Sequence, residues 1–583
     1  MKRILIGIIA VIGALALTAC SAANLRPGST ASTTTGSPGE STAESGSVST
    51  DSPVTTESEH FSDGDLKDVT GETPDATITL SGSTGTLSDT TRGTSGSTVT
   101  IASKGIYRVT GSSTNVTILI AEKVESGNVY LILDGVSMTN ASAPCIQVDG
   151  CDKLVVQCVG DNSLTCTATG LETDGAIYSK DDVTLNGTGS LTVSSKMHGV
   201  VCNDDLKITG ALKLTVNADS IGLKGNDSLR IGGGTTTVTA GHDGIQCSTS
   251  DNTGAFYMQS GTLTVRAGYD AIDTGTDGVE IAGGTLDLTT GSGAFRSTSS
   301  TSQKGIKSDG AIQIAGGSVT VESADDALHS ATDVTVQDGA LTLASGDDGI
   351  HADNELTVAG GTLNVTRSYE GLEAYVVNVT GGTSSVVASD DGVNAAGGSD
   401  SSSTEAMPGP WSRSSSSGTL NISGGTLYVN AGGDGLDSNG SIYVTGGTVI
   451  VEGPTNSGNG ALDKGDGGNC VASITGGTVL AIGATGMALN FDTGSQCAAL
   501  LNLSGSAGTT ITVDDGSGFT FTATKNFGCV VYSSPSMTQG NTYTVTAGSS
   551  SATADFTSSL YYSAVGGMGG NPGGMGGFGG GRR

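Results

Sequence analysis

Polar and apolar residues alternate along most of this chain, in runs too short for helices and too regular for loops. From about residue 76 the runs read ATITLSG, STVTIAS, GIYRVTG, VTILIAE, VYLILDGVSMTN, CIQVDG and KLVVQCVG, with turn residues between them. Alternation over this length predicts half-buried strands. It then settles into a repeat: Gly189, Gly210, Gly234, Gly261, Gly284, Gly317, Gly339, Gly361, Gly382, Gly425, Gly447 and Gly477 each introduce a run of the GGTLNV kind. Leu363 and Val365 fall on one face of that run, and Thr362, Asn364 and Thr366 on the other. Most intervals are 21 to 24 residues, and the longer ones carry insertions at Asp251–Ala255, Ser292–Gln303 and near Gly397–Gly418.

A period of this length, built of short strands and Gly/Asp turns, is the signature of a solenoid. No single line of the repeat can bury its own apolar side chains, but stacked lines can. The expected fold is all-β: a parallel β-helix with coils of about 22 residues over 76–495. Residues 496–565 lose the register, and AALLNLSG, TTITVDD, FTFTATK, CVVYSS and NTYTVTAG predict a small β cap on its open end. The low aromatic content, 4%, fits a narrow core of Val, Ile and Leu, and the 94 glycines follow the coil period rather than the every-third spacing of collagen.

Stacking turns repeated positions into ladders, because equivalent side chains in adjacent coils lie roughly 4.8 Å apart. Asp326, Asp348, Glu370 and Asp391 form one column at intervals of 22, 22 and 21. His329, His351, Glu373 and Asn394 form a second column three residues on. Asp325, Asp347 and Asp390 double the first column, and Asp434 and Asp437 extend both. The surrounding Gly432–Asp437 matches the start of a calcium-binding nonapeptide but departs from it at Asn439. Two carboxylates at ladder spacing repel by roughly 3.5 kcal/mol at an effective dielectric of 20. Protonation or a bound cation must relieve this, and clustered oxygen ligands suit Ca²⁺. The expected metal ligands are Asp325, Asp326, Asp347, Asp348, Glu370, Asp390, Asp391, Asp434 and Asp437. Some of these aspartates are also good turn formers.

The charge balance agrees. With 57 acidic and 25 basic residues the net charge is -32, which disfavours nucleic acid and anionic membrane as partners and favours cations or a cation-bridged ligand. Lys304 and Lys307 precede Asp326 and His329 by 22 residues, so they should lie directly beneath the two columns. Such a surface suits a uronate polymer, with calcium bridging sugar carboxylates and Lys307, Arg367, Tyr369 and Trp411 as the expected carbohydrate contacts. Trp411 lies in the large insertion, where it could equally tuck against the coils. The same parts could support β-elimination, with Lys304, Lys307 or Arg367 as the base. A third reading is a structural surface adhesin. His329 and His351 read either as a metal pair or as stacked imidazoles.

The ends of the chain speak to location. Residues 1–20, MKRILIGIIAVIGALALTAC, have the basic start, short apolar run and small-residue end of a signal peptide. Leu17–Cys20 resembles a bacterial lipoprotein box with Cys20 as the lipidated residue, which predicts an extracytoplasmic, lipid-anchored protein facing the cell surface. Residues 21–75 read as a disordered Ser/Thr-rich linker, with His60 a solvated residue in it, and 566–583 as a disordered Gly-rich tail. The remaining nine cysteines contain no CxxC, and core packing and one or two disulfides are equally open.

Taken together, the entry segment VYLILDGVSMTNASAPCIQVDGCDKLVV, the DDGIH and DDGVN corners with their GGTLxV strands, the NTYTVTAG strand and the glycine-methionine tail resemble a family. It is the bacterial surface family of calcium-binding, carbohydrate-binding β-helix proteins akin in fold to pectate lyases. The resemblance covers roughly residues 75–565. It implies a right-handed β-helix, several calcium sites and binding of a plant-type or acidic polysaccharide, pectin-like or cellulosic, without settled lyase activity. The Trp411 insertion and the early cysteines depart from it.

Overall fold

The computed structural model describes residues 58–564, apart from 122–123, 125–126, 249–250, 296–299 and 397–417. Cys20, the leader, Trp411 and the glycine-rich tail lie outside the described residues. The described part is all-β; its α-helix is the single turn Asp63–Leu66.

Each repeat folds into three strands. In one coil these are Ile306–Ser308, Ile312–Ile314 and Ser318–Ser323. Each pairs in parallel with its counterpart three strands later, so Ile306 meets Leu328, Ile312 meets Val334 and Val319 meets Leu341. Parallel pairing between successive coils runs from Asn128–Asn140 to Ala472–Gly483, with two strands of a coil merged into one in places, as in Ser441–Glu452. The inward positions, such as Ile314, Val321, Val336 and Leu343, are buried in one continuous core. Alternation therefore arises because every second residue faces that core.

Two glycine positions make the corners possible. Gly361 takes φ +69°, a conformation that costs other residues strain, where the chain turns into the long strand. Gly371 sits where coils touch: a Cβ there would lie 2.2 Å from the Gly392 carbonyl oxygen and 2.2 Å from Val386 Cγ1.

Residues 58–75 correct the linker reading. They cross the outer face of the first coils and are tied to it. The Phe61 ring lies against Gly232, and His60 stacks on Tyr257 with ring centroids 3.6 Å apart, so His60 is not a solvated linker residue. Asp65 is fully buried, accepting from Lys153 Nζ at 2.5 Å and Thr184 Oγ1 at 2.6 Å, with Lys207 Nζ at 3.9 Å. Gln157 accepts from the Val69 amide at 2.9 Å. A Ser/Thr-rich composition concealed the two anchors, Phe61 and Asp65, whose partners lie far away in sequence.

At the other end pairing turns antiparallel. Ala472–Gly483 pairs with Cys529–Ser533, which pairs with Ala498–Leu501. A separate four-stranded antiparallel sheet, Thr510–Val513, Thr520–Thr522, Thr542–Ala547 and Ser550–Asp555, closes a second core around Leu480, Phe527, Tyr532 and Phe556. Buried Glu452 joins the two parts by accepting from the Thr524 amide at 2.6 Å and Tyr428 hydroxyl at 2.9 Å. The edge of the last parallel coil is thereby covered, as an unpaired sheet edge must be. All nine described cysteines are free thiols, seven of them buried.

Candidate functional site

The site is the corner between each long strand and the next short one. Strand register makes the columns real. Along the short strands Lys224, Gln246, Asp273, Lys307, His329, His351, Glu373, Asn394 and Asp437 pair in unbroken succession. The corner column beside it is carried by backbone bonds from Gly305 to Asp326, Ala327 to Asp348, Gly349 to Glu370, Gly371 to Asp391 and Gly392 to Asp434. Charge alone would not hold these carboxylates together; the parallel ladder beneath them does.

The upper half of the corner is neutralised by the protein itself. Lys304, 4% exposed, lies 2.7 Å from Asp326 and 3.2 Å from Asp325. Lys307 lies 3.0 Å from Asp273 and 4.0 Å from Asp270. His329 contacts Asp326 at 2.9 Å and stacks on His351, with centroids 4.8 Å apart and planes 13° from parallel. Burial pushes the Asp326 carboxyl up, but Lys304 and His329 outweigh it and hold it well below the usual carboxylate range.

This arrangement corrects the base assignment for β-elimination. Burial disfavours the Lys307 ammonium, yet Asp273 and Asp270 outweigh that and raise its pKa. Lys304 is enclosed by Asp325 and Asp326. A base must be neutral, and a carboxylate beside a lysine favours the ammonium. Arg367, the third candidate, lies with its guanidinium 4.7 Å from the Phe295 ring centroid, and a guanidinium stays protonated.

The centre of the corner is built around His351, which is 1% exposed. Its Nδ1 faces Glu373 at 2.9 Å and Asp348 at 3.3 Å, and its Nε2 faces Asp353 at 3.1 Å. Burial lowers the imidazole pKa, but the three carboxylates outweigh it and keep the ring protonated. Asp348, His351 and Glu373 bring ligand atoms within 4.8 Å of one another, as do Asp325, Asp326 and Asp347. In the second group the Lys304 ammonium already does a cation's work.

The lower half has no such compensation. Among the described residues no Lys, Arg or His lies within ion-pair range of Glu370, Asp390, Asp391, Asp434 or Asp437. Burial, reinforced by neighbouring carboxylates, pushes Glu370 up to about 8, Asp391 to about 6, and Asp434 and Asp437 to about 7. Asn394, only 7% exposed, stands between Glu373 and Asp437 in the short-strand column. Its Nδ2 donates to Glu370 Oε2 at 2.6 Å, which orients its Oδ1 away; that oxygen is buried without a partner. The acids and the partnerless amide oxygen here are hard oxygen donors that no protein cation neutralises, although the ligand atoms that approach within 4.8 Å of one another are those of Asp348, His351 and Glu373 and of Asp325, Asp326 and Asp347.

Around the corner stand the contacts for a larger ligand. Tyr369, 38% exposed, occupies the outer column between Asp347 and Asp390, whose backbones bond to it on either side. Phe295, 61% exposed, reaches Arg367 from the insertion that begins after Thr290. Sequence reasoning missed Phe295, because its neighbour Arg367 lies 72 residues away (367 minus 295); an aromatic residue within an insertion at a functional corner was the one available signal. Arg367, Tyr369 and the nine expected metal ligands thus follow one another along one corner, and of the nine Asp325, Asp326 and Asp347 lie within 4.8 Å of one another while Asp348 joins His351 and Glu373 in a second such group.

A polysaccharide-binding class follows from a rigid all-β scaffold presenting a row of carboxylates, exposed aromatics and a cation along one edge. The family comparison agrees. The profile of the family described as "Carbohydrate-binding domain-containing protein" matches residues 95–349 and 348–549, and the chain belongs to that family. Among solved structures it is similar to the polysaccharide lyase-like protein from C. thermocellum, determined as a gadolinium derivative, at 29% identity over 41% of this chain and 96% of that one, with a TM-score of 0.36. No curated protein matches the chain.

Proposed function

We propose that the chain is a non-catalytic, calcium-dependent polysaccharide-binding protein of the bacterial surface. The observation that carries this is the partnerless, buried Asn394 Oδ1 amid carboxylates that no protein cation neutralises. Asp391, Asp434, Asp437 and Asn394 would hold the ion, which supplies a positive charge able to accept further oxygen ligands from a sugar carboxylate. Arg367 would pair with carboxylates beyond the ion's reach, while Tyr369 and Phe295 offer faces to sugar rings. The ligand class this favours is a uronate-rich, pectin-like polymer.

The parallel pairing of three strands per repeat supports reading the stack as a right-handed parallel β-helix over 76–495 with its cap over 496–565. The leader and Cys20 support a lipid-anchored, extracytoplasmic placement. One mixing experiment tests the function. The full chain is incubated with polygalacturonate in calcium or in chelator, following protein depletion and the ultraviolet absorbance of unsaturated sugars. Calcium-dependent depletion without an absorbance rise is the expected result. A rise would make the protein a lyase. Absence of both signals would overturn the calcium–uronate reading and leave the adhesin.

A further inference from the structure

The corner that carries the acids continues upstream into a different surface. Pairing register follows the outward end of each long strand, with one shift between Leu343 and Ala344: Thr165, Ser194, Asn217, Thr239, Arg266, Thr289, Glu322, Ala344, Arg367. Its first four members line a groove of about 270 Å³. The groove floor includes Cys166 and Ala218, both buried, and Lys196 and Asp219 stand at its edge. Arg266 ends the run of small polar residues, its guanidinium donating to Thr289 Oγ1 at 3.1 Å.

Three features distinguish this groove from the acidic corner. First, its polar groups are free to bind: the side chains of Thr165, Ser194, Asn217 and Thr239 make no hydrogen bond to the protein among the described residues. They stand at strand spacing, roughly 4.8 Å apart, each a donor and an acceptor. Second, it is neutral. Its only charged lining residues, Lys196 and Asp219, pair at 2.9 Å, so it offers a uronate neither a metal nor a spare cation. Third, it is amphipathic. Threonine methyl groups and Ala218 alternate with the hydroxyls, and a sugar ring likewise presents C–H faces and hydroxyl edges. Its volume is at the small end of ligand pockets, the scale of a sugar unit rather than a long chain.

We infer that this groove is a second saccharide subsite, which takes an uncharged, hydroxyl-rich glycan segment without a metal ion. It does not depend on the calcium reading of the acidic corner. From Asn217 to Arg367 there are six pairing steps, roughly 29 Å along the stack. A polymer spanning both sites would gain affinity by chelation that short oligosaccharides cannot gain.

The test is calorimetric titration of the full chain, in chelator, with cellohexaose and separately with mannohexaose. At least one hexasaccharide is expected to bind in the chelator. The combined T165V/N217A/T239V variant removes hydrogen-bonding groups while keeping solvent-facing, strand-compatible side chains at both threonine positions. It is expected to weaken binding by about tenfold or more with an unchanged melting midpoint. Ser194→Phe, which fills the groove, gives the same result by a different route. Failure of both sugars to bind in chelator, a requirement for calcium, or equal binding by wild type and a folded groove variant would each overturn the proposal. Calcium-dependent depletion of polygalacturonate is a separate readout, so the two sites stand or fall independently.

Discussion

Stripping divalent ions from this protein should make its stability fall as pH rises. Asp437 is raised from an ordinary 3.8 to about 7 by burial and by Asp391, Asp463 and Asp434. Keeping such a group ionised in the fold costs on the order of 4 kcal/mol relative to the unfolded chain. Asp391, Asp434 and Glu370 are shifted the same way, but they are partly exposed and share one electrostatic field. A cautious total for the corner is therefore on the order of 5 kcal/mol, a large share of a domain's net stability. The sign follows from linkage. A carboxyl whose folded pKa lies above its unfolded value contributes most below the unfolded value, and that contribution is lost as pH rises through the folded one. The window here runs from about pH 4 to about pH 8. His351, also raised, acts in the same direction above its ordinary value. Thermal unfolding in chelator at about pH 5 and about pH 8 reads the difference. For a cooperative unit near 500 residues, 1 kcal/mol corresponds to about 1 °C, so the midpoint should drop by about 5 °C at the higher pH. Millimolar calcium should restore it, and Asp437→Asn should flatten the chelator profile. A midpoint indifferent to pH in chelator, or to calcium at pH 8, would refute the reasoning.

Three further outcomes are expected. Asp65→Asn removes the closest carboxylate from Lys153, while Asp182 stays 3.8 Å from Lys153 and Asp205 3.0 Å from Lys207, and should cost about 1.5–3 kcal/mol in denaturant unfolding; a cost below about 1 kcal/mol would mean residues 58–75 contribute little to the fold. Gly371→Ala should destabilise by about 1–3 kcal/mol, because its Cβ meets the next coil at 2.2 Å, whereas Gly468→Ala, with nothing within 4 Å, should be neutral; equal effects would dispute the close approach of the coils. In the native protein a thiol reagent should reach Cys470 first and Cys151 more slowly, since burial and then Asp181 push the Cys151 thiol up to about 12. The seven buried thiols should react only on unfolding, and early labelling of Cys202 or Cys247 would contradict the continuous core.

Much of this molecule could be read without coordinates, and the reason is periodicity. A repeat of about 22 residues places Asp326, Asp348, Glu370 and Asp391 in one column whatever the details of the coil, because strands of successive turns can pair only in register with the core pattern. All-β architecture and the acidic ladder follow from that regularity alone; it also sets His329 beside His351, but the stacking of their rings is a structural finding. What the repeat cannot express is a contact between positions that do not share a phase. Phe295 meeting Arg367, and Asp65 reaching Lys153 and Lys207, join segments far apart in sequence through insertions or flanking chain. The fate of each charge is also a tertiary matter. Lys304 and Lys307 stood in the sequence as plausible bases, and only their enclosure by Asp325, Asp326, Asp270 and Asp273 makes them counter-ions instead. Asn394 was simply a variant of a histidine column until its buried oxygen proved to have no partner. Sequence alone determined which residues stack; three-dimensional packing decided which of those stacked charges are already satisfied and which still need a cation, because desolvation and pairing depend on distances that a period does not carry.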